Sequence, residues 1–300
     1  MKKTLITISG PTAVGKTKFS IELAKSLNCE IISCDSRQFY REMNIGTGVP
    51  SKKDLSSVKH HCIQHISILD RYTINDFEIE SNKILSDTFK KNNFVIMVGG
   101  SGLYMDASIN GLDVFPEIDL NVRKDLNDQY INKGIEFLQN KLKKLDPAYY
   151  KTIDLNNYRR IVRALEVCIS SSTPFSSFLN KKNVKRPYSV FPIAINIERK
   201  KLYKLINERV DEMIDNGLLN EVKTLKNHKD LTALQTVGYK ELFEYLNSEK
   251  PIEHYIEEIK KNTRRYAKRQ LTWLNKKKNL VWLDRNHEID DIISTHLDSK

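Results

Sequence analysis

A glycine-rich segment near the amino terminus constrains the fold more than any other part of the chain. Residues 10–17, GPTAVGKT, match the full pattern G-x-x-x-x-G-K-[ST]. The apolar run Leu5–Ser9 precedes this segment, and Lys16–Leu27 follows it with apolar residues at helical spacing. A strand, a glycine-rich loop and a helix in this order predict that backbone N–H groups surround phosphate oxygens at the helix N-terminus.

Every residue of this loop is therefore a candidate for phosphate or diphosphate binding. Lys16 supplies a positive point charge, and the Thr17 hydroxyl is a candidate Mg²⁺ ligand. The predicted phosphate-binding residues are Gly10, Pro11, Thr12, Ala13, Val14, Gly15, Lys16 and Thr17.

Strands alternate with helices along the first hundred residues and again after residue 187. Strands are predicted at Glu30–Cys34, Phe94–Val98 and Val190–Ile197, with a helix at about 75–91 between the first two, and a last strand-like run at Leu280–Leu283. Alternation of this kind predicts an α/β fold, with a parallel sheet covered by helices on both faces.

The segment 116–187 has a different pattern. Its apolar residues recur at helical spacing, and no strand is predicted before a turn-like stretch at Lys181–Pro187. We therefore expect an all-helical insertion at 116–187 between two parts of the α/β core, 1–115 and 188–300.

The charge of the chain favours a polyanionic partner. Lys and Arg number 49 against 38 Asp and Glu, which gives a formal charge of +11. Lys260–Lys278 contains nine basic residues and no acid, and Arg159, Arg160 and Arg163 share one side of a predicted helix. These two basic faces suit contact with nucleic acid phosphates, and the alternative is that they are charged surfaces that face only solvent.

Two further absences in the sequence bear on location. No apolar run approaches the roughly 20 residues that a membrane helix needs, and no signal peptide is recognised at the N-terminus. The four cysteines form no C-x-x-C pair. We expect a soluble cytoplasmic protein without membrane contact.

Asp35 is well placed to take part in chemistry, since it follows the strand Glu30–Cys34. The carboxyl ends of parallel strands are where open α/β sheets bind ligands. Phe94–Val98, by contrast, runs into Gly99 and Gly100 and carries no acid at its end. The position of Asp35 suits a metal ligand or a general base, and the alternative is an N-cap of the next helix.

Several motifs occur in one order along most of the chain. They are GPTAVGKT at 10–17, DSRQFYR at 35–41, IGTG at 45–48, HH at 60–61, GGSGLY at 99–104, RRIVRALE at 159–166, VGYK at 237–240 and AKRQ at 267–270. This ordered set resembles the tRNA dimethylallyltransferases, also called tRNA isopentenyltransferases. The resemblance implies a P-loop NTPase-like core interrupted by a helical domain that contacts tRNA.

The resemblance also implies a reaction. Enzymes of that family transfer the dimethylallyl group of dimethylallyl diphosphate to the exocyclic N6 amine of the adenosine 3′ of the anticodon, position 37, and release diphosphate with Mg²⁺. By its motif, Asp35 is implied to be the general base, with Thr17 and Arg209 at the diphosphate. Arg209 has the alternative of a helix-surface residue paired with a neighbouring acid.

Further positions are implied to contact the anticodon stem-loop of tRNA. Ser101 stands where the family more usually has threonine, and it keeps the hydroxyl. The predicted tRNA-contacting residues are Asp35, Ser36, Arg37, Gln38, Ser101, Arg123, Arg159, Arg160, Ile161, Val162, Arg163, Lys268 and Arg269.

Other hypotheses remain open from the residues. An adenylate isopentenyltransferase would share the loop and the chemistry but modify free AMP, ADP or ATP. A P-loop kinase of a small metabolite would transfer a phosphoryl group, and a non-catalytic RNA-binding module would need only the basic faces. His60, His61, Cys62 and His65 lack the second ligand pair of a closed zinc site, so no metal site is predicted there. The resemblance implies that His60 and His61 are either structural or adjacent to the substrate. A monomer is expected.

Overall fold

The computed structural model describes residues 3–180, 184–285 and 289–297. It divides the chain into two compact units, one formed by residues 1–109 and 186–300 and the other by residues 110–185. The second unit begins and ends slightly earlier in the chain than the predicted insertion 116–187. Residues 181–183 of the predicted turn lie outside the described residues.

Six parallel strands form the sheet of the first unit, in the order β3-β2-β4-β1-β5-β6. The α/β prediction is confirmed. The strands are β1 (Thr4–Ser9), β2 (Ile31–Ser33), β3 (His60–His61), β4 (Phe94–Val98), β5 (Ser189–Asn196) and β6 (Val281–Asp284). Only β3 was not predicted from the sequence, because two residues are too short for a periodic pattern.

Twelve α-helices are present among the described residues. They are α1 (Lys16–Ser26), α2 (Lys52–Ser57), α3 (Ile74–Thr88), α4 (Gly102–Asn110), α5 (Leu120–Leu145), α6 (Pro147–Tyr150), α7 (Tyr158–Ser171), α8 (Arg199–Asp215), α9 (Leu218–Thr224), α10 (Tyr239–Tyr245), α11 (Ile252–Leu274) and α12 (Ile289–Ile292). Short 3₁₀ turns separate some of them, and one of these spans Thr232–Leu234.

The sheet is covered on both faces, as its apolar strands require. Successive residues of β1 point to opposite sides, so Ile6 packs with Leu23 of α1 on one face. Leu5 packs with Phe77 of α3 and Met105 of α4 on the other. Because both faces are buried, only the edges and ends of the strands are open to a ligand.

A second apolar cluster in the same unit joins the carboxyl-terminal helices to the loop after β2. Tyr239 at the start of α10 is completely buried there, and it packs with Val210 of α8 and Leu218 of α9. Met43 and Tyr40 enter this cluster from the loop. Burial of these side chains fixes the loop against the helices.

The described residues of the unit 110–185 form helices and connecting loops without a strand, and α5 and α7 form its main contact. The helical path of α5 breaks at Gly134, whose φ of 75° is in the left-handed region. Ile161 and Val162 of α7 are buried in its core. Their side chains are unavailable for a tRNA contact, so that part of the predicted interface is wrong.

Glu166 is the buried charge of this unit. Its carboxylate accepts hydrogen bonds of 2.6 Å from both Nε and Nη2 of Arg123 and one of 2.7 Å from Arg163. Burial alone would raise the pKa of Glu166, but the hydrogen bonds from the two arginines lower it below its usual value. A carboxylate shared by two guanidinium groups joins α5 to α7.

No helix among the described residues is long and apolar enough to cross a membrane.

Glu166→Gln is expected to lower the free energy of unfolding by about 2 kcal/mol at pH 7, since the charge-assisted bonds are lost while both arginines keep access to water. The native carboxylate has a lowered pKa, so its contribution is present above the unfolded pKa and is lost as the pH falls through the folded one. Urea unfolding at pH 7 and below pH 4 measures both effects. Glu136→Gln, at an exposed position on α5, is the matched control. An equal effect of the two substitutions would contradict the assignment.

Candidate active site

Three loops of the first unit meet at the carboxyl ends of neighbouring strands in the sheet. The glycine-rich loop follows β1, Asp35 comes two residues after β2, and Gly99 follows β4 directly. The strands lie in the order β2-β4-β1, and the three loops leave their carboxyl ends. A parallel sheet therefore brings together residues that are far apart in the sequence.

The glycine-rich loop has the backbone that its sequence predicts. Gly15 adopts a φ of 100°, a conformation that favours glycine, and α1 starts at the next residue. The Lys16 ammonium curls back over the loop and donates to the carbonyl oxygens of Gly10 and Pro11, at 3.0 and 2.8 Å. Gly10, Pro11 and Val14 are buried. The predicted loop residues that line the cleft are Thr12, Ala13, Gly15, Lys16 and Thr17.

Asp35 lies in a turn and not at a helix N-terminus. Residues 36–39 form the turn, and one Asp35 carboxylate oxygen accepts from the backbone N–H of Arg37 at 3.1 Å. The helix N-cap alternative is therefore wrong. The other oxygen, Oδ2, lies 3.6 Å from where a Cβ would stand on Gly100 and has no hydrogen-bond partner within the described part of the chain. It is free to accept a proton.

Arg209 projects from α8 into the same cleft. Its guanidinium lies directly against Gly48, so closely that a Cβ there would overlap Nη2. Gly48 also has a φ of 60°. No acid in the described ranges lies within ion-pair distance of the Arg209 guanidinium, although Asp35 and Glu212 are near enough for their charges to act on it. The hypothesis of a helix-surface arginine paired with a neighbouring acid is therefore wrong.

Lys16, Asp35 and Arg209 are near enough for their charges to interact. The pKa of Lys16 is lowered to about 8, mainly by burial; the Asp35 carboxylate opposes this shift, and the positive charge of Arg209 adds to it. Burial also lowers the pKa of Arg209, and Asp35 again opposes the shift. Asp35 acts on both cations, and Glu212 acts on Arg209 as well. Two cations that face one cleft suit the binding of an anion.

The loop that contacts Arg209 is fixed by a second carboxylate. Glu221 of α9 accepts from the backbone N–H groups of Asn44, Ile45 and Gly46 at 2.8–3.1 Å and from the Tyr239 hydroxyl at 2.6 Å. A Cβ on Gly46 would overlap the Tyr239 ring. Glu221 was assigned no role from the sequence, because the four groups that it binds come from distant segments.

Gln38 ties this loop to the sheet. Its amide donates to the carbonyl oxygen of Gly48 at 3.0 Å, and its own oxygen accepts from the Ser33 hydroxyl at 3.1 Å. Arg37 donates to the carbonyl oxygens of Thr232 and Ala233 at 2.9 and 2.8 Å. Both side chains were predicted to contact tRNA, and both line the cleft while holding its walls in place.

Ser36 and Ser101 link two of the three loops. The Ser36 backbone N–H donates to the Ser101 hydroxyl at 3.0 Å, and that hydroxyl lies 3.0 Å from the Ser36 hydroxyl. These bonds need only a hydroxyl at position 101, which serine supplies as threonine would.

Helix α11 supplies the remaining wall of the cleft. Tyr266, Arg269 and Gln270 face the cleft, and neither Tyr266 nor Gln270 was assigned a role from the sequence. Ala267 and Leu274, on the turns of α11 before and after Gln270, are buried.

The basic run on α11 is only partly available to a partner. Lys260 pairs with Asp211 at 2.8 Å, Lys261 with Glu258 at 2.8 Å, and Arg264 donates to Asn207 at 2.6 Å. Lys268 and Arg269 are exposed and have no acidic partner among the described residues.

The unit 110–185 presents its own arginines. Arg159 and Arg160 near the start of α7 are exposed, whereas Arg163 and Arg123 are held by Glu166. The guanidinium of Arg163 also stands over the Phe115 ring at 5.1 Å. Of the four arginines predicted to contact tRNA on this unit, Arg159 and Arg160 are therefore not held by an acid, and Arg123 and Arg163 are held by Glu166.

His61 and His65 have local partners. His61 is 2.6 Å from the Glu30 carboxylate, and His65 is 3.2 Å from Glu80, which also accepts from the Tyr72 hydroxyl at 2.6 Å. Donor atoms of Cys62, His65 and Glu80 all lie within 4.8 Å of one another. Burial raises the pKa of the Cys62 thiol, so we interpret the group as a hydrogen-bonded part of the core.

The cleft between the loops and α11 has a volume of about 1130 Å³. Small-molecule sites are commonly of about 300–1,000 Å³, so it is large enough for a diphosphate together with a second group. A small cavity of about 40 Å³ adjoins it, lined by Thr17, Ser20, Ser33, Asp35 and Gln38 among others. Oxygen atoms of this kind are the donors that Mg²⁺ prefers, so the residues fit that ion.

Binding of an alkyl diphosphate is expected to weaken as the pH rises through about 8. Lys16 has a pKa of about 8, so its charged fraction falls from about nine-tenths at pH 7 to about one-tenth at pH 9, and the affinity falls about tenfold. An alkyl diphosphate is itself nearly fully ionised at pH 7. Titration calorimetry between pH 7 and 9 measures the change. Lys16→Ala is expected to bind weakly without this step, and a flat wild-type profile would contradict the assignment.

Comparison with known proteins gives one consistent result. A family model described as IPP transferase matches residues 38–277. A tRNA dimethylallyltransferase of Flavobacterium johnsoniae is 51% identical over 297 residues, which cover 97% of this chain and 96% of the relative. One from Christiangramia forsetii is 49% identical over 300 residues, covering 100% and 99%.

Solved structures agree in fold and in family. The tRNA isopentenylpyrophosphate transferase of Bacillus halodurans has a TM-score of 0.71 and 37% identity, over 98% of this chain and 94% of that one. A eukaryotic dimethylallyltransferase acting on tRNA has a TM-score of 0.78 and 25% identity, over 99% of this chain and 77% of that one. The resemblance carried by the ordered motifs is confirmed, and the chain belongs to the IPP transferase family.

Proposed function

We propose that this protein is a tRNA dimethylallyltransferase that modifies the N6 amine of the adenosine 3′ of the anticodon, position 37. Family membership supports the reaction class. The observation that carries the proposal is the cleft in which Lys16 and Arg209 flank the carboxylate of Asp35. The cations suit a diphosphate, and the carboxylate suits the proton of an attacking amine.

The transfer forms one bond and breaks one. The adenine N6 attacks C1 of the dimethylallyl group, the C1–O bond breaks, and its electron pair leaves with the diphosphate. The N6 proton passes to Asp35, whose Oδ2 is free to accept it. An exocyclic aromatic amine is a weak nucleophile, and a positioned base contributes about 10²–10⁴ to the rate.

The glycine-rich loop would bind a leaving group in this reaction. Backbone N–H groups of the loop and the Lys16 ammonium would contact the diphosphate from one side, and Arg209 would contact it from α8. Arg209 is set against Gly48, so its guanidinium needs little ordering when the substrate binds.

Mg²⁺ would be held by Thr17 and the substrate phosphates, where it would neutralise part of the charge on the leaving diphosphate. Every residue that lines the cleft belongs to the unit 1–109 and 186–300 of a single chain. We propose action as a monomer. A tRNA substrate supports a cytoplasmic location.

Exposed cations on both units would bind the RNA backbone. Lys268 and Arg269 lie on α11, which also forms a wall of the cleft, and Arg159 and Arg160 lie on α7 of the helical unit. The target base must leave its stack to reach Asp35, as enzymes that act on a base generally require.

The enzyme is expected to prenylate unmodified tRNA from dimethylallyl diphosphate and to leave AMP unchanged. Asp35→Asn keeps the size of the side chain but removes the base, so the turnover rate falls by about 10²–10⁴ while the affinity for tRNA stays within about threefold. Transfer of a radiolabelled dimethylallyl group measures turnover, and filter binding measures affinity.

Asp87→Asn is the matched control for this experiment. Asp87 lies near the end of α3, where it pairs with exposed Lys90 at 2.7 Å, and the substitution is expected to leave turnover unchanged. Prenylation of AMP with tRNA untouched would contradict the proposal in favour of an adenylate isopentenyltransferase. Transfer of the γ-phosphate of ATP to a small metabolite would contradict it in favour of a kinase.

Each of Arg160→Ala and Lys268→Ala is expected to weaken tRNA binding and to reduce the slope of log K against log [salt] by about 0.7–0.9, the loss of one phosphate contact. Fluorescence anisotropy between 50 and 200 mM salt gives the slope. Lys90→Ala is the control, because Lys90 precedes β4 and so lies at the amino end of the strands. A slope that is unchanged in both test variants would remove these faces from the interface.

A further inference from the structure

Gln270 of α11 connects two of the loops that build the cleft. Its side-chain oxygen accepts from the backbone N–H of Thr12 at 2.9 Å, and its Nε2 donates to the carbonyl oxygen of Gly100 at 3.0 Å. The residue is 9% exposed. One buried amide therefore uses its acceptor on the glycine-rich loop and its donor on the loop after β4.

The two connected loops serve different substrates in the proposed function. Thr12 belongs to the loop that would bind the diphosphate. Gly100 is next to Ser101, which fixes Ser36 and with it the turn that carries Asp35. The distance between these loops determines how far the leaving group lies from the general base.

The packing around Gly100 leaves little freedom for this contact. A Cβ on Gly100 would stand 2.5 Å from Nε2 of Gln270, 3.6 Å from Oδ2 of Asp35 and 3.7 Å from the Tyr266 hydroxyl. The amide of Gln270, the general base and a tyrosine hydroxyl thus surround one glycine. A side chain of another shape at 270 would move groups that face the reacting atoms.

We propose that Gln270 is a positioning residue, which sets the separation of the diphosphate-binding loop from Asp35 by hydrogen bonding to Thr12 and Gly100. This inference rests on the proposed function. It assigns to Gln270 no contact with the substrate and no proton transfer.

Two substitutions of Gln270 test whether its hydrogen bonds, and not the charge or the shape of its side chain, account for its effect. Gln270→Leu keeps similar bulk and neutrality but removes both bonds. Gln270→Glu keeps the acceptor for Thr12, and its carboxyl regains a donor for Gly100 only when it is protonated. The variant therefore carries an internal control, since one protein is compared with itself at two pH values.

Other groups near position 270 also titrate or carry charge. Tyr266 is next to position 270 in the cleft wall. The charged or titratable groups that face position 270 or act on Tyr266 are Lys16, Cys34, Asp35, Arg37 and Arg269. Each pH profile is therefore expressed as a ratio to the wild-type enzyme, in which the same groups are present.

The experiment measures binding of dimethylallyl diphosphate by calorimetry and turnover with tRNA between pH 5.5 and 8.5. We expect Gln270→Leu to lose about tenfold in affinity for dimethylallyl diphosphate and about tenfold in turnover at every pH, with tRNA affinity within about twofold. Gln270→Glu is expected to lose at least as much at pH 8 and to recover to within about threefold of wild type at pH 5.5.

Gln139→Glu is the matched control in the helical unit. Gln139 also donates from its amide to a backbone carbonyl, that of Leu155 at 2.9 Å, and we expect no effect on diphosphate binding at either pH. Thermal unfolding of all variants identifies any loss from misfolding.

Wild-type affinity and turnover in Gln270→Leu would overturn the inference, as would a Gln270→Glu loss that does not recover at low pH. Failure of the wild-type enzyme to bind dimethylallyl diphosphate would instead contradict the proposed function. The two failures are therefore distinguishable.

Discussion

Two cations and one carboxylate in a partly buried cleft are the interaction on which the rest of the structure depends. Burial disfavours the charges of Lys16 and Arg209, Arg209 further disfavours that of Lys16, and the Asp35 carboxylate favours both. A site with this balance is unfavourable by itself and becomes favourable when a polyanion enters. When that polyanion is the diphosphate of an alkyl donor, its binding also brings the leaving group next to the Asp35 carboxylate.

The scaffold fixes these charges with backbone contacts. Lys16 is held by the carbonyl oxygens of its own loop, and Asp35 is held by the backbone N–H of Arg37. Arg209 lies against Gly48, in a loop that Glu221 fixes through three backbone N–H groups. Geometry set in this way before substrate binds contributes more to catalysis than flexible side chains would.

Local patterns in the sequence predicted much of this arrangement. The glycine-rich loop, strand β4 and the position of Asp35 after β2 follow from short motifs whose conformation depends on neighbouring residues. The assignment of Arg209 to the diphosphate came from the family resemblance. Its place in the cleft, against Gly48, is consistent with that role.

Long-range contacts account for what the sequence did not predict. Gln270 bonds to residues 170 or more positions away, and Glu221 to a loop about 175 positions away, so no local pattern could have revealed either.

Ile161 and Val162 were assigned to the tRNA interface because they stand between arginines in a family motif. Helical periodicity places them on the opposite side from Arg159 and Arg160, in the core.

Mass spectrometry of tRNA from cells that lack this protein tests the central claim most directly. The account predicts that adenosine beside the anticodon loses its five-carbon group in these cells. A gene encoding the wild-type chain restores the group, and one encoding Asp35→Ala, produced at the same level, does not. Persistence of the group in the deletion strain, or its restoration by Asp35→Ala, would contradict the account.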